Sequence, residues 1–263
     1  VIKLLFLLLI LIFELKIQAN LLSLVLIWLS PIIVMLFIRV PWLMIAGPER
    51  FFIPSSEIEF YLGQSCKYFS ILFVMLFIMF RSRIDFKNIG FWSTVKLTLN
   101  DILHGGVFSL FYILVTWVLS IFFIPFIPER TETVIFNIFY GYVIPVEKMM
   151  RFISILNPWL YASYMIIIPA VIEEMYFRGY SISILRNMFN NLWVVNVVQA
   201  LLFSILHWYR GLFAGIIPMF IFGFLFGFLT IKHGFRLTSA LTGHLIVNAL
   251  SIFLYLRGLE MIG

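Results

Sequence analysis

Glu173, Glu174 and Arg178 lie together inside one of the most apolar stretches of a chain that is 63% hydrophobic. An ionisable side chain at the centre of a bilayer costs about 2.5 to 3.5 kcal/mol on insertion scales, so three together imply internal pairing and a functional site. If residues 165–184 are helical, Glu174 and Arg178 are i,i+4 neighbours on one face, and Glu173 points about 100° away from Glu174. One carboxylate is then neutralised and the other is left for chemistry. Further on, His207 falls near the end of a predicted helix with Phe203 one turn before it, where the aromatic ring is expected to pack beneath the imidazole. His244 and Asn248 share a face of another predicted helix at the same i,i+4 spacing.

A carboxylate, two imidazoles and an amide on three helices of one bundle are the parts that peptide-bond hydrolysis needs. A base must take a proton from water, and a carboxylate in a dry pocket is a stronger base than one in water. Glu173 is the candidate, with His207 holding or sharing that water. Charge developing on the carbonyl oxygen needs fixed donors, and His244 with Asn248 offers two from one helical face. No Ser or Cys nucleophile is required. Glu173, His207 and His244 would also make a three-ligand zinc site with an open water position. Against zinc, the helical H-E-x-x-H motif is absent and no carboxylate is obviously placed behind either histidine. The sequence therefore favours catalysis without a cofactor and keeps zinc as the alternative.

The groups stand in the order E-E-x-x-x-R (Glu173 to Arg178), F-x-x-x-H (Phe203 to His207) and H-x-x-x-N (His244 to Asn248). Ordered this way on separate apolar segments, they resemble the CAAX-processing and bacteriocin-processing (CPBP) intramembrane proteases, the family of CAAX prenyl protease 2 and lysostaphin resistance protein A-like proteins. The resemblance covers residues 158–256, and no motif in the first 150 residues adds to it. It implies a glutamate-type endopeptidase, called a metalloprotease in older descriptions of the family. Glu173 and His207 would activate water, His244 and Asn248 would form the oxyanion hole, and Glu174, Arg178 and Phe203 would support them. The implied substrate is a membrane-associated or lipidated peptide or protein that enters from the lipid. CAAX cleavage, bacteriocin maturation or immunity, and signal-peptide or sorting-tag processing all fall within the family, and the implied setting is a prokaryotic cell membrane.

These residues need elements to hold them, and composition says which. With 263 residues, 31 Phe and only 11% charged residues, and a mean hydropathy of +1.10, the chain has more apolar surface than one soluble core could bury. Backbone groups in lipid must be satisfied internally, and the apolar runs lack the alternation of a barrel, so the spanning elements are helices. The expected fold is an all-α, polytopic transmembrane bundle of about eight helices, over residues 2–17, 20–38, 60–80, 101–124, 158–187, 191–210, 212–231 and 237–256. It reads as a single membrane domain, 1–263, with the protease-like core at 158–256. The opening Val1-Ile2-Lys3 and the apolar run after it resemble a signal peptide, but no small-residue cleavage site follows, so a retained helix is expected.

Between the helices, residues 81–100 carry a basic cluster and an expected interfacial turn or helix at 86–91. The stretch Pro125 to Pro158 reads as re-entrant or interfacial. The 18 Lys and Arg divide evenly between the two sides, so only the Arg81 to Lys96 cluster weakly points that loop toward the cytoplasm. Gly223 and Gly227 suit close helix packing. Pro169 is expected to kink its helix and can free a carbonyl near the site. His104, at a predicted helix entrance, and His233, in the 232–236 turn, read as interfacial residues, and Trp159, Tyr161, Trp208 and Tyr209 as interfacial anchors.

Other functions are weaker on the same evidence. The net charge of +6 is dispersed among membrane segments and forms no basic arm, which argues against nucleic acid. Anionic lipid headgroups are the expected counterpart. The single cysteine, Cys66, excludes an intramolecular disulfide. Buried Glu, His and Arg also mark ion pathways, so a proton-coupled transporter is an alternative, but repeats in matching halves are absent. A non-catalytic immunity protein would not need the full set of polar residues.

Overall fold

The computed structural model describes residues 19–46, 56–90, 99–123 and 156–260, and every regular element within them is helical. Helix α1 spans Ala19–Val34 and runs through a π-turn, Met35–Arg39, into a short α2, Val40–Ala46. Next come α3, Glu57–Ser82, and α4, Leu99–Phe123. Helix α5, Pro158–Glu173, continues without a break through a π-helical segment, Glu174–Ser181, into α6, Ile182–Met188. Helix α7 is Leu192–Ile205. A 3-10 turn, Trp208–Arg210, and a π-turn, Leu212–Ile216, then lead into α8, Ile217–Lys232, and α9 is Thr238–Glu260.

Four stretches among the described residues are long and apolar enough to cross a membrane: Leu21–Ile38, Glu57–Ser82, Leu99–Phe122 and Pro158–Met188. The chain is thus an integral membrane helix bundle. The expected segment 2–17 lies outside the described residues, as does nearly all of the Pro125 to Pro158 stretch. Residues 86–90 form the expected turn, closed by Asn88 N–H to the Asp85 carbonyl and Gly90 N–H to the Lys87 carbonyl. Two expected boundaries are corrected. The second helix runs past Arg39 to Ala46, and the sixth stops at Ile205 instead of 210, which leaves His207 in a turn.

Local chemistry sets the helix ends. Ser56 caps α3 through the Glu59 N–H, and Asn157 caps α5 through the N–H groups of Trp159 and Leu160, with Pro158 at the first helical position. Asn191 caps α7 through the Trp193 N–H. Against lipid there is no hydrophobic force between helices, so small residues and polar bonds hold the bundle together. At the seam of α7 and α8, Gln199 donates to the Asn196 side-chain oxygen (2.9 Å) and to the Gly223 carbonyl (2.7 Å), and Asn196 donates to the Phe224 carbonyl (3.0 Å). A Cβ on Gly223 would lie 2.9 Å from the Ala200 Cα, and one on Gly227 would fall on the Asn196 and Gln199 side chains. The glycine pair therefore packs within the bundle.

Helix α9 crosses α4 at Gly105 and Gly243, where Ser109 donates to both glycine carbonyls, at 2.6 and 2.9 Å. This crossing seats the start of α9, and His244 with it. Helix α1 clamps the other side: Tyr176 donates to the Leu24 carbonyl (2.7 Å), Tyr180 to Ser23 Oγ (2.8 Å), and Trp28 to the Leu202 carbonyl (2.8 Å).

His104 and His233, both expected at the interface, meet each other. Their rings stand 5.0 Å apart. His233 bonds to the buried Asp101, which Arg236 also engages through two bonds, at 2.7 and 3.1 Å. Asp101 belongs to the first turn of α4, and His233 and Arg236 to the connection between α8 and α9, so this cluster ties the ends of three helices.

Candidate active site

The acidic pair straddles a change of helix type. Glu173 ends α5 and Glu174 opens the π-helical segment, in which every residue to Ser181 is buried. Short π-helical stretches are rare and recur at functional sites. Arg178 Nη1 lies 3.2 Å from Glu174 Oε1, both side chains being essentially inaccessible, so the expected i,i+4 pairing is present. The guanidinium also rests on aromatic faces, 4.5 Å from the Phe203 ring centroid and 5.4 Å from that of Phe222. Stacking of this kind partly replaces hydration for a desolvated guanidinium.

His207 follows the last turn of α7. Its Nδ1 lies 3.0 Å from the Phe203 carbonyl, one of the acceptors that a helix C-terminus leaves without a partner. A carbonyl can only accept, so Nδ1 carries the proton and Nε2 is left with its lone pair. The Phe203 ring lies 4.8 Å from the imidazole. Phe203 therefore joins Arg178 to His207, with its ring between them and its carbonyl fixing the tautomer.

His244 is held by a carboxylate, contrary to the expectation that neither histidine has one behind it. Its Nδ1 lies 2.7 Å from Glu174 Oε1, the oxygen that also faces Arg178. Its Nε2 lies 3.9 Å from Glu173 Oε2. The two glutamates thus bracket one imidazole, Glu174 orienting it and Glu173 facing its free edge. The Phe222 ring packs against it at 4.7 Å.

Asn248, one turn along α9, donates from Nδ2 to the carbonyls of Met165 (3.3 Å) and Ile166 (3.4 Å). Pro169 explains why the first of these is available. Proline has no N–H, and the acceptor it would have served lies four residues earlier, at Met165. Pro169 thus frees a carbonyl near the site, and the Asn248 amide takes it.

Glu173, His207, His244 and Asn248 all line one cavity of about 430 Å³, walled also by residues of α3 and α4 such as Tyr68, Tyr112 and Thr116. Glu174, Arg178 and Phe222 stand behind or beside them. Residues 155–250, which contain all of these except the α3 and α4 wall, match the family model of the type II CAAX prenyl endopeptidases, Rce1-like. Over these residues the chain is similar to the CAAX proteases. The chain matches no curated protein and no solved structure.

Within this matched region, Glu173, His207 and His244 were also the candidate zinc ligands. Among the described residues, no three His, Cys, Asp or Glu side chains converge closely enough to hold a metal ion. The cavity also takes in residues that sequence reasoning passed over. Phe222 was hidden in a Phe-rich helix, and its only signal is its spacing on the face of α8 that holds Phe226. Tyr161 lines the cavity as well, whereas Trp159 and Trp208 are exposed. Arg210 also lines it, and its signal was a cation placed just after a motif histidine.

Proposed function

We propose that the chain is a glutamate-type intramembrane endopeptidase that hydrolyses a peptide bond of a membrane-associated or lipidated peptide or protein without a metal. The observation that carries this reading is the division of labour around His244 and His207. In each, Nδ1 is occupied by a fixed protein acceptor, Glu174 or the Phe203 carbonyl, while the rest of the ring faces the cavity that Glu173 shares.

In this mechanism a water sits between Glu173 and His207 Nε2. Glu173 takes its proton as the oxygen attacks the carbonyl carbon of the scissile bond. The resulting oxyanion accepts from His244 Nε2–H and from Asn248. A ring that donates from both nitrogens is positively charged: Glu174 faces it at Nδ1 throughout, and at Nε2 the Glu173 carboxylate, 3.9 Å away, gives way to the oxyanion as Glu173 takes the proton of the water. The Asn248 bonds to Met165 and Ile166 are long, and an oxyanion, the stronger acceptor, takes one of the two amide hydrogens. Collapse of the tetrahedral intermediate breaks the C–N bond. Glu173, now a carboxylic acid, returns the proton to the leaving amine.

The test is cleavage of membrane-tethered peptides by purified protein in lipid nanodiscs, comparing wild type with Glu173→Gln, each with and without a chelator. The expected result is cleavage that survives chelation and is lost in the variant. Loss in chelator would establish zinc dependence, and equal cleavage by the two proteins would remove Glu173 from the role of base.

A further inference from the structure

Tyr112 of α4 lies outside the matched region, yet it lines the same cavity as Glu173, His207, His244 and Asn248. It is 5% exposed, and the access it keeps is to that cavity. Two contacts hold it there. About one turn earlier on α4, Ser109 donates to the Gly243 carbonyl (2.9 Å) and fixes α4 against α9. Phe222 meets the Tyr112 ring edge-on at 5.1 Å and the His244 ring at 4.7 Å, so one aromatic side chain sets both. Thr116, one turn on, donates to the Tyr112 carbonyl (3.0 Å), but the phenolic O–H has no hydrogen-bond partner among the described residues. Elsewhere in the bundle such hydroxyls are matched: Tyr164 with Ser65 Oγ (3.1 Å), Tyr176 with the Leu24 carbonyl and Tyr180 with Ser23 Oγ. A buried tyrosine ordinarily finds a partner for its hydroxyl, and leaving one unpaired costs stability. The other polar groups of the cavity are already committed or can only accept. Glu173 as a carboxylate and His207 at Nε2 are acceptors. His244 Nε2 faces Glu173, and the Asn248 amide donates to Met165 and Ile166. A peptide brings carbonyls that need donors, and Tyr112 holds one that is uncommitted.

We propose that Tyr112 is a further substrate-binding residue of this site, its hydroxyl donating to a backbone carbonyl of the peptide held over Glu173. The scissile carbonyl is the favoured acceptor, because the Phe222 ring that sets Tyr112 also sets His244. A donor from α4 then faces His244 and Asn248 of α9 across the developing oxyanion, already placed and with no protein bond to give up first. The carbonyl of an adjoining residue is the other source of the same chemistry. This inference rests on the endopeptidase reading and adds to it a residue from the part of the chain that carries no family motif.

The test is Tyr112→Phe, which keeps the ring and its contact with Phe222 and removes only the O–H. Because no protein bond is lost, the unfolding midpoint in mixed micelles is expected to hold or rise. A lower midpoint would make the hydroxyl a structural group and overturn the inference. The probe for function is an N-acylated nonapeptide of apolar residues in nanodiscs. A loss carried by kcat, about 100-fold, assigns the hydroxyl to the oxyanion. A loss carried by KM, about 3- to 10-fold, is the worth of one neutral hydrogen bond and assigns it to an adjoining carbonyl. Unchanged kcat and KM overturn the inference. Binding is measured in parallel on Glu173→Gln, with and without Tyr112→Phe, using the same peptide and a set in which one backbone carbonyl at a time is a thiocarbonyl, a weaker acceptor. If wild type cuts none of these peptides, a binding loss from one thiocarbonyl that vanishes in the Tyr112→Phe background still supports the carbonyl contact while the protease reading fails. In that case equal binding of every peptide in the two backgrounds, or no binding in either, overturns the contact as well.

Discussion

Neutralising Glu174 is expected to damage the protein through Arg178, and the size of the effect follows from burial. Both side chains are essentially inaccessible and their ion pair closes at 3.2 Å. Removing one member of a buried pair leaves the other charge uncompensated, at a cost of about 3 to 5 kcal/mol. Glu174→Gln retains an oxygen for His244 Nδ1, so the substitution changes charge more than shape. Arg178→Met keeps an apolar stem over Phe203 and Phe222 while removing the cation. Each single variant should therefore lose about 3 to 5 kcal/mol, a large part of the roughly 5 to 15 kcal/mol that typical proteins possess. The double variant leaves neither charge behind and should lose less than either single. The assay is reversible unfolding in mixed micelles, read as a double-mutant cycle, with turnover followed in the same samples. If the double variant loses the sum of the two singles to within about 0.5 kcal/mol, the sites are independent and the argument from charge pairing is refuted.

Pro169→Ala gives the helix back the N–H that Met165 lacks, in competition with Asn248. The unfolding midpoint should rise and turnover should fall, and a raised midpoint with unchanged turnover would deny the Asn248 contact any part in the reaction. Gly227→Ala drives a methyl group into the Asn196 and Gln199 side chains and should cost about 1 to 3 kcal/mol of stability, measured in the same micelles; a neutral result would show that this seam yields freely. Asp101→Ala strips the shared acceptor from His233 and Arg236, and leaving buried donors without it should cost about 1 to 3 kcal/mol. Its effect on kcat should be smaller than its effect on the unfolding midpoint, because the cluster lies at the helix ends, and a large loss of kcat at full stability would contradict a purely structural part for it.

The polar spacing along the chain made much of this arrangement legible. Four residues is just over one α-turn and just under one π-turn, so Glu174 meets Arg178 in either helix type and the expectation did not depend on which one formed. The i,i+4 relation of Phe203 to His207 was legible for a similar reason, although its polar half, the carbonyl bond, arises because α7 ends at Ile205. The contact between Glu174 and His244 spans 70 positions and depends on how α9 is seated by the Gly105 and Gly243 crossing, which no local pattern reports. The cluster of Asp101, His233 and Arg236 was missed for the same reason, Asp101 being 132 and 135 positions from its two partners. Pro169 was read as a kink or as a source of a freed carbonyl, and choosing between them needed Asn248 in place.

Helix α7 has 14 residues, Leu192–Ile205. At the rise of an α-helix that is roughly 21 Å, against a hydrocarbon slab of about 30 Å. A helix this short forces the surrounding bilayer to thin or its own polar ends to dip, at a cost of fractions of a kcal/mol per ångström of mismatch. Trp208, 60% exposed at the end of that helix, has the amphipathic ring that settles at a headgroup boundary. A bilayer crossed by α7 would thin over the His207 turn. Acyl-chain length would then be a variable of the proposed reaction in its own right: thicker bilayers would make the dimple more costly to hold, and thinner ones would bring the water that hydrolysis consumes closer to Glu173.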